Sequence, residues 1–164
     1  MQLQAHGIET TLPPGWEGRI TLRSPITAAT TASGRSTVGA AGEFPNPVVH
    51  LANFALPEDR GDFGSGAVDL MGPEHVFIAL FEYGPESVGT ALFRRKGLPT
   101  RLRPNQFSGS ALQRTLPGQA GCQIFFTTAN RAFCCYTVLG RQSSAPRILP
   151  QANQTLAATR ISPR

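Results

Sequence analysis

Five cations crowd ten positions of this chain: Arg94, Arg95, Lys96, Arg101 and Arg103, within the run Phe93-Arg94-Arg95-Lys96-Gly97-Leu98-Pro99-Thr100-Arg101-Leu102-Arg103-Pro104. Guanidinium groups offer paired donors to carboxylates and phosphates, so the run is suited to holding an anionic partner. Pro99 and Pro104 favour an exposed loop with its charges outward. The plainer alternative is a solvated loop balanced by acids elsewhere in the same molecule. Binding of single-stranded nucleic acid would also need spaced aromatic rings on which bases stack. Only Phe93 and Phe107 flank the run, so nucleic acid ranks below protein as the expected partner.

Other chemistry-bearing residues form weaker patterns. Asp59, Asp62, Asp69 and Glu74 surround a glycine-rich stretch, with His75 adjacent. A hard cation takes several oxygens, but the spacing is that of no calcium loop, and no zinc signature is present. No metal and no cofactor are expected. Gly61, Gly64 and Gly66 lack both the Gly-Lys-Ser/Thr ending of a phosphate loop and the spacing of a dinucleotide fingerprint, and so read as turn formers. Ser65 and Ser110 stand in no Gly-x-Ser-x-Gly elbow. Cys134 and Cys135 are neighbours and would face opposite sides of a strand, so one face cannot present both to a metal. His6, His50 and His75 lie far apart. His50 falls in an apolar strand and reads as a hydrogen-bonded core residue, although a pair with Cys122 could form in space.

The charges are segregated along the chain. Residues 1–86 hold all 10 acids and 4 arginines, whereas residues 87–164 hold 11 cations and no acid. Such asymmetry points to an anionic partner or to self-association. The preferred expectation is a non-enzymatic interaction or assembly module. It would meet a protein partner, or form a homo-oligomer, through complementary charge. The competing expectation is an enzyme for an anionic small molecule, with the 93–103 cations binding it and Asp62 or Glu74 as general base.

The elements that must position these residues read as strands and a helix. A chain of 164 residues with 40% apolar content fits one domain with a core. Ile8, Thr10 and Leu12, and then Trp16, Gly18, Ile20 and Leu22, alternate with polar neighbours on either side of Pro13-Pro14-Gly15. They predict a hairpin over 6–23 with Trp16 inward. Residues 24–47 lose all apolar period and read as a long loop or insertion. Val48–Leu56 reads as a strand, and 67–71 as a helical turn. Val76–Phe81 is apolar in both alternating sets, which suits a central strand. Cys122–Thr128 and Ala132–Leu139 predict a second hairpin around Ala129-Asn130-Arg131. Ile148, Leu149, Ala152, Leu156 and Thr159 share one side of a helix over 147–160, with Pro150 in its first turn. The fold class expected is α+β: an antiparallel sheet of about five to six strands, a C-terminal helix and one or two short helices packed on it.

The opening Gly7-Ile8 leading into Leu12-Pro13-Pro14-Gly15-Trp16, with the closing helix running into Ile161, resembles PsbP-like α/β/α proteins at the two ends. That resemblance implies a non-catalytic binding or assembly domain and carries no catalytic residues over. No secretory signal is visible, and the longest apolar run, Val76–Phe81, is far short of the ~20 residues of a membrane span. Three cysteines, an odd count, read as reduced thiols. A cytoplasmic location is expected.

Overall fold

Residues 1–23 and 46–164 are described by the computed structural model. Among the described residues the strands form two antiparallel sheets. The smaller joins β1 (Gln2–Ala5), β2 (Ile8–Thr11) and β8 (Arg160–Ile161) in the order β1-β2-β8. The larger joins β3 (Glu17–Leu22), β4 (Pro47–Ala52), β5 (Val76–Tyr83), β6 (Ala120–Thr128) and β7 (Arg131–Leu139) in the order β3-β4-β5-β7-β6. Among the described residues the α-helices are α1 (Ser65–Val68) and α2 (Ala145–Ala157). The fold class is α+β, as expected, with its strands divided between two sheets.

β5 shows why the larger sheet is so legible. It is flanked by β4 and β7 and covered on both faces, so neither alternating set can be polar. Val76, Ile78 and Leu80 join one core, whereas Phe77, Ala79 and Phe81 join the other. On the first face lie Ala145, Ile148, Leu149, Ala152 and Leu156 of α2, together with Ile8 and Leu12. On the second lie Ala67 and Val68 of α1 and the half-buried Phe54, Leu56, Leu112 and Leu116. β6 and β7 form the expected hairpin. Its turn is Ala129-Asn130, with φ of 50° and 58°, the two-residue geometry whose twist matches the strands. Arg131, expected in that turn, is instead the first residue of β7.

Three other expectations are corrected. Residues 6–23 do not form one hairpin. β2 pairs with β1 through a His6-Gly7 turn (φ 52° and 73°) and with β8, while β3 pairs with β4 from Glu17↔Ala52 to Leu22↔Pro47. Pro13-Pro14-Gly15 is a corner that hands the chain from one sheet to the other, closed by the Trp16 N–H donating to the Pro13 carbonyl at 3.2 Å. Trp16 is buried, as expected. β4 stops at Ala52, because Asn53 turns away and its Oδ1 accepts the Val76 N–H at 2.8 Å. α2 begins at Ala145, which places Pro150 inside the helix rather than in its first turn. Apart from Asn46 and Pro47, the loop expected over 24–47 lies outside the described residues.

Candidate interaction surface

Between β5 and β6 the chain forms only short 3₁₀ turns, Pro85–Ser87, Ala91–Phe93, Pro104–Gln106 and Gly109–Ala111. This strap runs along the outer edge of β6. The Thr127 N–H donates to the Arg95 carbonyl (2.8 Å), and the Gly97 N–H to the Thr127 carbonyl (2.9 Å). Further along, Ser108 and Gly121 exchange two hydrogen bonds. Backbone groups that would otherwise face water along β6 are thereby paired.

Buried side chains fix the strap. Phe93, Leu102 and Phe107 are 4%, 4% and 3% exposed. Each such anchor contributes roughly 1.5–3 kcal/mol, against roughly 1–2 kcal/mol for fixing one residue's backbone. Asn153 of α2 clamps Leu102, with Oδ1 accepting its N–H (2.8 Å) and Nδ2 donating to its carbonyl (3.1 Å). Arg94, Arg95, Lys96, Arg101 and Arg103 all stay exposed on this fixed backbone. Among the described residues none of the five has a carboxylate partner. Leu102 points inward between Arg101 and Arg103, which therefore stand on the outward side of the same short stretch.

Two other cations of the second half pair with exposed acids of the same chain. Arg114 pairs with Asp69, and Arg147 pairs with Glu74. Glu74 also accepts from Ser144 Oγ at 3.0 Å, and hydrogen bonds from Arg147 and then Ser144 hold its carboxyl below the usual range. Asp69 and Glu74 are thus each engaged by an arginine at the surface. Among the described residues no three His, Cys, Asp or Glu side chains stand where they could hold one metal ion. Glu58, Asp59 and Asp62 are exposed on the loop that follows β4.

A buried ion pair escaped the sequence reading. Arg131 and Glu82 are each 3% exposed. Arg131 grips the carboxylate with two bonds, Nε to Oε1 at 2.9 Å and Nη2 to Oε2 at 2.6 Å, while its Nη1 donates to the Ser162 carbonyl at 3.0 Å. Arg164 adds a second cation to Glu82 at 3.1 Å. The available signal was one acid and one base at the ends of apolar strands that pair with each other.

His50 is a core residue, as expected. Arg60 Nε–H donates to His50 Nδ1 (2.9 Å), so the ring proton lies on Nε2 and is donated to the Asp62 carbonyl (2.7 Å). Burial, with Arg60 alongside, lowers its pKa from 6.5 to about 4. The ring therefore ties the glycine-rich loop to β4 as a neutral group. His50 lies on the sheet face of Val48 and Ala52, and Cys122 on the opposite face, so the two cannot form a nucleophile pair. Cys134 and Cys135 do face opposite cores. All three cysteines are free and buried, and burial pushes Cys134 and Cys135 up to about 12.

Among the described residues two clefts stand out. A shallow one of about 350 Å³ lies between the strap and the tip of the β6–β7 hairpin, lined by Val88, Lys96, Gly97, Thr127, Thr128, Ala129 and Asn130. A far smaller one, about 30 Å³, lies beside Phe63, Asp69, Arg114 and Tyr136. Neither brings Asp62 or Glu74 to the cations of the strap. No helix among the described residues is long and apolar enough to cross a membrane.

Comparison with protein-family models, with curated proteins and with solved structures gives no match to this chain.

Proposed function

We propose that this chain is a non-enzymatic interaction module that docks an acidic protein surface, on a partner or on a second copy, against Arg94, Arg95, Lys96, Arg101 and Arg103. One observation carries this role: five exposed cations ride on a backbone held by buried anchors, and the described acids leave all five unpaired. A fixed backbone lowers the ordering cost of docking. Unpaired exposed cations steer an acidic partner in and need shed no existing ion pair. The exposed Glu58, Asp59 and Asp62 offer a second copy the matching charge. The resemblance of the two chain ends to PsbP-like proteins points the same way, and reduced, buried thiols suit a cytoplasmic setting.

Nucleic acid fits less well, because Phe93 and Phe107 are core anchors rather than stacking platforms. A small-molecule enzyme fits less well too, since the larger cleft holds Lys96 but no carboxylate to act as base. Sedimentation at low and high salt, with and without poly-glutamate, tests the role. The expected result is a heavier species at low salt that salt dissolves and that a variant with all five cations changed to Ser does not form. A wild-type protein that stays monomeric at both salts and ignores poly-glutamate refutes it.

A further inference from the structure

The two edges of the larger sheet differ. The strap closes the β6 edge. The β3 edge is open: among the described residues no strand pairs with its outer side. The Arg23 N–H donates to the Asn46 carbonyl at 3.0 Å, and bonding alternates along an antiparallel pair, so Thr21, Arg19 and Glu17 also bond to β4. Pro47, opposite Leu22, has no N–H to give, which fits the same alternation. The N–H and C=O groups of Gly18, Ile20 and Leu22 therefore point to the open side. One of them is shielded at the surface, since Arg19 Nη1 donates to the Gly18 carbonyl at 2.8 Å. Side chains on the strand divide by face as well. Arg19 lies across from His50. On that same face Glu17 Oε2 accepts the Leu56 N–H at 3.0 Å, and the Arg23 guanidinium stands 5.3 Å over the Phe81 ring. On the other face Ile20 packs against the core beneath it, while Leu22 is 43% exposed.

We infer that β3 is a self-pairing edge: a second copy of this chain adds its own β3 antiparallel to this one, about a two-fold axis that sets Ile20 opposite Ile20. Charge selects that register. It places Glu17 across from Arg23 of the second copy and Arg19 across from Thr21, while Gly18 meets Leu22 and Ile20 meets itself, each exchanging both hydrogen bonds. An axis moved by one residue sets Arg19 against Arg19, or against Arg23, like charges directly opposite. Pairing about Gly18 or Leu22 leaves much of the strand without a neighbour. In the chosen register Leu22 lies over Gly18 of the second copy, which has no side chain and is floored by Leu3 and Leu12; an exposed apolar group is thereby covered. Arg19 has only to swing off the Gly18 carbonyl. The edge is independent of the strap cations, and its backbone bonds are not screened by salt as their charges are.

The test is sedimentation velocity over a concentration series at low and high salt, together with residue-resolved amide hydrogen exchange. The expected result is a dimer that grows with concentration and remains at high salt, where any heavier species built through the strap has dissolved. Exchange at Gly18, Ile20 and Leu22 should slow as the dimer forms, whereas Arg19, Thr21 and Arg23, bonded to β4, should be slow at every concentration. Ile20→Pro removes only an outward N–H and should weaken the dimer roughly tenfold or more. Thermal unfolding shows whether that variant folds, and the wild-type exchange pattern decides the question if it does not. A wild type that stays monomeric at every concentration refutes the edge. So does a dimer in which Gly18, Ile20 and Leu22 exchange as fast as in the monomer. A dimer lost at high salt or on changing the five strap cations to Ser, but kept in Ile20→Pro, refutes the edge and leaves the docking role standing. A dimer kept in the five-Ser variant and lost in Ile20→Pro supports the edge whatever the strap does.

Discussion

Acidification should unfasten the glycine-rich loop through His50. Its Nδ1 accepts from Arg60 and its Nε2–H donates to the Asp62 carbonyl. Protonation would therefore put a second proton into the Arg60 hydrogen bond, setting two donors and two positive charges face to face in a buried site. The folded-state pKa is lowered from 6.5 to about 4, chiefly by burial. The unfolded chain therefore takes up the proton first as pH falls, and stability must fall with it. The contribution is fully present above about 6.5, declines from there, and is lost once pH has passed below about 4. Integrated between pH 7.5 and 3.5, a depression of this size is worth about 3 kcal/mol, a large share of a typical stability of roughly 5–15 kcal/mol. Glu74, held below the usual carboxylate range chiefly by its hydrogen bond from Arg147, also loses stability as pH falls, so the effect must be read as a difference. Urea unfolding of wild type and His50→Gln across that range should show wild type losing about 3 kcal/mol more than the variant. Ring-proton NMR should place one histidine midpoint near 4. A His50 midpoint at 6 or above, or parallel pH profiles for the two proteins, would refute the burial argument.

Three further outcomes follow from the packing. Glu82→Gln strips the buried Arg131 of its countercharge and should cost about 3–5 kcal/mol in urea unfolding; Arg131→Met/Glu82→Leu, which removes both charges, should recover much of that loss. Gly64→Ala places a methyl group against the Phe77 ring at a residue whose φ is 72°, and a melt should show a loss of roughly 2–4 kcal/mol; an unchanged melting temperature would contradict that contact. The Cys134 and Cys135 thiols, pushed up to about 12 and buried, should resist a thiol reagent at pH 8 in the native protein and react on unfolding; rapid labelling of all three cysteines in the native state would contradict their placement.

The elements that the sequence made legible are those whose neighbours force a pattern. β5 and β7 are walled on both faces, so both alternating sets had to be apolar, and the β6–β7 hairpin followed from their adjacency and Asn130. α2 shows one apolar stripe because only one of its sides meets the sheet. What stayed hidden is what distant partners decide. β1, Gln-Leu-Gln-Ala, carries almost no apolar signal and is a strand because β2 offers it an edge. The Pro-Pro-Gly corner looks locally like a hairpin turn, and only the pairing of β3 with β4 shows that the chain changes sheets there. Pro150 sits within α2 because the helix begins earlier, at Ala145, a start that the apolar stripe does not mark. The cationic run was visible as composition, but its anchors at Phe93, Leu102 and Phe107 and the cleft beside Lys96 depend on α2 and on the hairpin tip, which no local pattern encodes.

The segregation of charge along the chain also has a different meaning in three dimensions. A net deficit in the first half and a net excess in the second would suggest a molecule with two opposed poles. The fold instead brings the halves together: β5 pairs with β7, and the α2 face meets Glu74, so Arg114, Arg131, Arg147 and Arg164 each reach an acid of the first half. Those four act as internal ties between segments far apart in sequence. Arg160 stands across from Glu9 where β8 joins β2. Among the described cations left without an acid, five stand on the strap, held outward by residues buried beneath them. An excess spread evenly over a surface would serve solubility alone. If the proposed docking role holds, the charges of the strap, rather than the net charge of the chain, should set the salt dependence of binding.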